Sequence, residues 1–140
     1  MSDDLDPVDA NLPFAQLGYD LMGACFEVHR VLGGGLLEEI YQESLELELS
    51  IRGMQFVAKQ LLAIYYKNRR LNKLYVPDLL VADQIMVELK SCKALVSDHE
   101  AQLLNYMRIC RKPVGYLVNF GPVMKMEWKR FVISEFISKN

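Results

Sequence analysis

Two short strings hold the residue types best suited to chemistry: Pro77-Asp78 and, further on, Glu88-Leu89-Lys90. Between them Leu79-Leu80-Val81-Ala82-Asp83-Gln84-Ile85-Met86-Val87 reads as two apolar strands about one polar turn. Antiparallel pairing about Ala82-Asp83-Gln84 sets Asp78 opposite Glu88, and strand alternation sets Glu88 and Lys90 on one face. Two like charges ~4 Å apart repel by roughly 4 kcal/mol at an effective dielectric near 20. A fold keeps such a pair when a cation offsets the repulsion or one group stays protonated. Hard oxygen ligands suit Mg²⁺ or Mn²⁺, with the Leu89 backbone carbonyl as a further donor. An ion held there activates water and polarises a phosphoryl oxygen, while Lys90 orients the water or stabilises developing charge. The pattern points to metal-dependent phosphodiester chemistry. The plainer alternative makes Asp78 a turn residue and Glu88–Lys90 a surface ion pair; the apolar bracketing argues against it, because charges in a Leu-Val-Glu-Leu-Lys setting need a reason.

Two helical features add to this. Gln102 and Tyr106 are spaced i, i+4, with His99 a turn earlier, so the three project from one face, distinct from the apolar face of Leu103, Met107 and Cys110. Gln102 suits a phosphate oxygen or a water, and Tyr106 a phosphate or Lys90; a half-exposed helix with one packed tyrosine is the structural alternative. Glu38 and Tyr41 lie one turn apart in Gly35-Leu36-Leu37-Glu38-Glu39-Ile40-Tyr41. Glu38 is either a further acidic ligand acting through water or a complement to a helix N-terminus.

The elements that must position these residues follow from periodicity. Residues 1–11 read as an acidic flexible tail and 12–140 as a single domain. Leu12 to Leu32 is a helix with Leu17, Leu21, Ala24, Cys25, Val28 and Val31 on its apolar face, stopped by Gly33-Gly34-Gly35. Leu36 to Arg52 is a second, with Leu37, Ile40, Tyr41, Leu45 and Leu49 inward and Glu39, Glu43 and Glu46 outward. Strands are predicted over Gln55–Leu61, Leu62–Tyr66, Leu74–Val81, Ile85–Lys90 and Gly115–Phe120, with an edge strand within Met124–Ile133. Ser97 and Asp98 compete to cap a helix reaching Cys110. The order describes an α/β or α+β domain with a mixed sheet flanked by helices.

The chain has 140 residues, 51% of them hydrophobic, enough for one core. No apolar run approaches the ~18 residues of a membrane span. With an acidic N-terminus unlike a secretory signal, a cytoplasmic location is expected. Cys25, Cys92 and Cys110 are odd in number and widely spaced, which speaks against a disulfide framework or a zinc site. Net charge is −2 but uneven: residues 1–66 hold 11 acidic and 3 basic side chains, and residues 67–140 hold 7 and 13. The C-terminal half could therefore meet a polyanion, or the charges are ordinary solvated surface. Lys67, Arg69, Arg70 and Lys73 form a basic turn region suited to backbone phosphates, as are Arg108, Arg111 and Lys112. Tyr65, Tyr66, Tyr75 and Trp128 fit either a homodimer contact or internal packing.

Five ordered blocks resemble a known family. Glu27-Val28-His29-Arg30-Val31-Leu32-Gly33-Gly34-Gly35-Leu36-Leu37-Glu38-Glu39-Ile40-Tyr41 resembles the segment that names the GxxExxY proteins. Asp78-Leu79-Leu80-Val81 and Val87-Glu88-Leu89-Lys90 are similar to that family's sheet motifs, and His99–Tyr106 and Leu117–Gly121 to its later blocks. The likeness covers about residues 17 to 133. It implies the PD-(D/E)XK nuclease superfamily and a restriction-endonuclease-like core: a central mixed sheet flanked by helices in αβββαβ order. It also implies a catalytic core of Asp78, Glu88 and Lys90, an N-terminal helical acid at Glu38, and a QxxxY motif of RecB-like nucleases at Gln102 and Tyr106. Pro77 departs from the family, where an apolar residue often precedes the aspartate, and proline there suggests a bulged or edge position.

The leading expectation is a Mg²⁺- or Mn²⁺-dependent nuclease acting on DNA, with Asp78, Glu88, the Leu89 carbonyl and Glu38 around the ion. A homodimer or protein partner would supply readout surface that so small a domain lacks. The alternative is a catalytically silent nuclease-fold module that binds nucleic acid or a protein. The intact Asp, Glu and Lys argue against it, and the net negative charge argues weakly for it. An RNA-directed enzyme with the same metal chemistry stands as a third reading.

Overall fold

The computed structural model describes residues 14–137; the acidic stretch 1–11 and the expected helix start at Leu12 lie outside them. Helix α1 spans Ala15–Leu32 and ends where Gly33 takes φ 78° and gives its N–H to the His29 carbonyl. Leu21, Met22, Ala24, Cys25 and Val28 are buried, but Val31 is 62% exposed, so the apolar face lies slightly round from the one expected. Helix α2 spans Glu38–Ile51 and buries Tyr41, Leu45 and Leu49, while Leu37 and Ile40 face outward. Both Cys25 and Cys110 are buried thiols; burial pushes Cys25 up to about 12 and Cys110 to about 11, so neither is a thiolate nucleophile.

Seven strands follow: β1 (Phe56–Ala58), β2 (Leu62–Tyr66), β3 (Arg69–Tyr75), β4 (Leu79–Val81), β5 (Ile85–Lys90), β6 (Val114–Asn119) and β7 (Glu127–Val132), with α3 (Ser97–Cys110) between β5 and β6. The main sheet runs β1-β4-β5-β6-β7, parallel only at β5–β6. Strands β4 and β6 are buried at every residue because helices or the ribbon cover both faces. Helices α1 and α2 cover the face of Leu79, Val81, Ile85, Val87 and Leu89. Helix α3 and β2 cover the opposite face, with Leu80, Met86, Leu103 and Met107 between. This is a mixed α/β fold with a restriction-endonuclease-like core, and α2, β1, β4, β5, α3 and β6 trace the αβββαβ order.

Three expectations need correction. The strand expected over Leu74–Val81 is two strands. Pro77 has no N–H for a ladder, so the chain leaves one sheet at Tyr75 and enters another at Leu79. Strands β2 and β3 therefore form a separate two-stranded ribbon, closed by Lys67 and Asn68 at φ 50° and 64°, the signature of a two-residue hairpin turn. The basic turn is thus only Lys67–Asn68, and Arg69, Arg70 and Lys73 belong to β3. Strand β1 is likewise short, because Lys59 turns into the left-handed region at φ 56°.

Candidate active site

Strand β4 pairs with β5 as Leu79↔Val87, Leu80↔Met86 and Val81↔Ile85, a register that carries Asp78 opposite Glu88. Parity puts Asp78, Glu88 and Lys90 on the sheet face of Leu80 and Met86. β4 begins only at Leu79, so β5 is unpaired on that side beyond Val87 and the Asp78 side chain fills the gap: its Oδ2 accepts the Leu89 N–H at 2.7 Å. The N–H and C=O of one strand residue share an edge, so the Leu89 carbonyl opens on the same side.

Glu88 is half-buried, and its Oε2 accepts the Tyr75 hydroxyl at 2.5 Å. Burial pushes its carboxyl up to about 7; the neighbouring Asp78 carboxylate adds to this, and the Tyr75 hydrogen bond works against it. Burial raises the Tyr75 hydroxyl far above its ordinary value, with Glu88 adding to it, so Tyr75 stays a donor. Its ring stacks on Tyr106 at 3.6 Å between centroids and 11° between planes. Tyr106 thus reaches Glu88 through Tyr75. Gln102, one turn earlier, is exposed, and the two line a shallow hollow of ≈ 440 Å³ on α3.

The ammonium on Asp78 is not that of Lys90. Lys59 Nζ lies 2.5 Å from Asp78 Oδ1, whereas Lys90 shares the face of the acids and makes no ion pair or side-chain hydrogen bond among the described residues. Burial works against the Lys59 charge, but the hydrogen bond and charge of Asp78 outweigh it and raise its pKa, with Glu88 and Glu38 adding to the effect. Gln42 of α2 also donates to the Asp78 carbonyl, at 3.0 Å. Lys59, Gln42 and Tyr75 were missed from the sequence. Lys59 and Gln42 reach Asp78 from 19 and 36 residues away, with no local spacing to mark them.

Glu38 stands in the first turn of α2, exposed, in the ≈ 360 Å³ cleft that also holds Lys59 and Asp78. Among the described residues no three His, Cys, Asp or Glu side chains cluster closely enough to hold a metal ion, so Glu38 is not a third direct ligand as the side chains stand. Tyr41, its partner one turn on, fastens the backbone. Its hydroxyl donates to the Gly33 carbonyl at 2.5 Å and accepts the Leu36 N–H at 3.1 Å, and its ring stacks on Phe120 at 4.6 Å. Ser91, next to Lys90, donates to the Leu36 carbonyl, and His29 Nε2 donates to the Pro122 carbonyl at 2.8 Å. A Cβ on Gly34 would lie 2.4 Å from that carbonyl oxygen, so the loop before α2 passes too close for a side chain.

His99 turns back to its own helix start rather than projecting with Gln102 and Tyr106. Its Nδ1 accepts the Val96 N–H at 3.2 Å, so it serves the start of α3; Val96, rather than Ser97 or Asp98, is the cap position. Of the expected phosphate contacts, Lys67, Arg69, Arg70 and Lys73 lie exposed on the ribbon. Arg111 sits 4.1 Å over the Tyr65 ring and donates to Asn68 at 3.0 Å, joining the end of α3 to the ribbon tip. Arg108 is bound to Asn105 of its own helix. Lys112 is drawn away, donating to the Asp83 carbonyl at 3.0 Å in the turn at the far end of the β4–β5 hairpin.

A family model of the PD-(D/E)XK nuclease superfamily matches residues 15–131. The chain belongs to that superfamily. That superfamily is one of nucleases. The crystal structure of SSO0001 shares its fold, with a TM-score of 0.51 and 19% identity over 85% of this chain. The chain spans 59% of the length of that protein. No curated protein matches it.

The donor set fits the divalent ion that such nucleases usually use. Asp78 and Glu88 are hard oxygen donors brought together on one face, and burial first, then the Asp78 carboxylate, push the Glu88 carboxyl up to about 7. Among the described residues no helix is long and apolar enough to cross a membrane.

Proposed function

We propose that this PD-(D/E)XK protein is a Mg²⁺- or Mn²⁺-dependent nuclease that hydrolyses phosphodiester bonds in DNA, in the cytoplasm. The observation that carries the reading is the meeting of Asp78 and Glu88 at the open end of β4–β5, with Lys90 on the same face. Asp78, Glu88 and the Leu89 carbonyl would hold the ion, with Glu38 as an acid acting on it indirectly. When bound, the ion supplies Lewis acidity toward water and the phosphoryl oxygen. Lys90 orients the attacking water and stabilises charge developing on the phosphate. Tyr75 fixes the Glu88 carboxylate, Tyr106 buttresses Tyr75, and Gln102 takes a phosphate oxygen. Lys67, Arg69, Arg70, Lys73, Arg108 and Arg111 contact the backbone, which carries no sequence information, so cutting is nonspecific or structure-selective unless a second copy or another protein adds readout.

Residues 60–77 support the substrate class, since they hold four basic and no acidic side chains on an exposed ribbon. Incubation with plasmid, linear and branched DNA and with single-stranded RNA, in Mg²⁺ or Mn²⁺, tests the reading. Metal-dependent cutting that disappears in Lys90→Ala supports it. Binding without cutting of any substrate, unchanged in Lys90→Ala, makes the chain a binding module instead.

A further inference from the structure

Lys59 is the most firmly placed cation of the site, and neither acid's role in hydrolysis assigns it one. Its backbone N–H donates to the Asp78 carbonyl at 3.2 Å while its side chain reaches Asp78 Oδ1. Its φ of 56° is a left-handed conformation unfavourable to a residue with a Cβ, so the surrounding contacts hold it there. Both oxygens of Asp78 are therefore taken, Oδ2 by a strand amide and Oδ1 by an ammonium. The amide cannot leave without unmaking the β5 edge. The ammonium can, because the Lys59 side chain is 54% exposed on a flexible stem while Asp78 is 14% exposed. A divalent ion on Asp78 competes for the same oxygen, and two cations cannot share it at contact distance. Beyond Asp78, the cleft wall offers that ammonium Glu38, Glu39, Glu43 and Glu46 of α2, a row of carboxylates ill suited to meeting DNA.

We propose that Lys59 is a resident counter-cation that a divalent ion displaces from Asp78, and that the α2 carboxylates receive its ammonium when it leaves. The inference rests on the metal-dependent reading above. It gives the acidic wall of the cleft a purpose and explains how the Asp78–Glu88 pair holds together before an ion arrives. It also makes metal affinity a contest within the protein: removing the lysine strengthens binding.

The test is calorimetric titration of Mn²⁺ alone into the full chain. Wild type is compared with Lys59→Met and Lys59→Arg, and with Lys90→Met, which removes a charge from the same face without touching Asp78. Lys59→Met is expected to bind about tenfold more tightly, Lys59→Arg as wild type, and Lys90→Met with a much smaller gain. In chelator Lys59→Met melts below wild type, and saturating Mn²⁺ closes the gap. If Lys59→Met is unfolded in chelator, Mn²⁺ is expected to refold it at concentrations below those that saturate wild type; failure to refold overturns the proposal. Mn²⁺ that binds wild type but binds Lys59→Met no more tightly overturns the exchange and leaves the nuclease reading standing. Mn²⁺ that binds none of the proteins overturns both.

Discussion

Replacing Glu88 by glutamine removes a charge that the metal-free protein holds at a cost. Burial and then Asp78 raise the Glu88 carboxyl from 4.5 to about 7. The folded pKa lies above the unfolded one, so the folded state keeps a proton that the unfolded chain has lost between pH 4.5 and 7. The stabilisation from that proton is whole below pH 4.5 and is lost as pH climbs through 7. At about 1.4 kcal/mol per pKa unit, the wild-type protein gives up roughly 3 kcal/mol over this interval. Glu88→Gln gives up none of it, and its amide oxygen still accepts the Tyr75 hydroxyl. Urea unfolding in chelator, from pH 4.5 to 8, gives the difference between the two proteins, in which other titrating groups largely cancel. Wild type is expected to fall by roughly 3 kcal/mol relative to Glu88→Gln as pH rises. Saturating Mg²⁺ at pH 8 is expected to restore wild type alone. Parallel pH profiles for the two proteins would falsify the half-buried placement of Glu88 beside Asp78.

Three further outcomes are expected. Lys90→Ala lowers metal-dependent cutting by at least about 100-fold while leaving Mn²⁺ affinity near wild type, read by gel assay and calorimetry. The double variant Arg69→Ala/Arg70→Ala reduces the slope of log binding constant against log salt on duplex DNA by about 2, if both side chains neutralise phosphates. An unchanged slope removes the ribbon from the substrate path. Asn119→Ala costs about 3 kcal/mol in urea unfolding, because this fully buried amide accepts the Cys92 and Gly121 N–H groups and donates to Cys92 and Glu127.

The sequence was informative wherever a local period decided the outcome. The β4–β5 register followed from an apolar run about a polar turn, and it alone brings Asp78 to Glu88. Both amphipathic helices before the sheet were legible for the same reason, though Val31 and Ile40 show that periodicity places a face only to within one residue. Tyr75 read as part of one strand with Leu79–Val81, because Pro77 signals a bulge or an edge but does not say that the chain changes sheets there. Lys59 sat in a run that reads as strand, and only its left-handed backbone and tertiary contact with Asp78 give it a part. His99 matched the spacing of Gln102 and Tyr106 yet became a cap, since the first turn of a helix has free N–H groups nearby to bind.

Pro77 lies within a peptide that couples two parts of the molecule. Tyr75 ends the ribbon and grips Glu88; three residues later Asp78 grips the edge of β5. A displacement of the ribbon therefore reaches both acids within a few residues, beside the paths that run through α3 and through Lys59. The spacing of the two carboxylates is tied to the seat of the ribbon by a stretch of four residues, Tyr75 to Asp78, with a proline inside it.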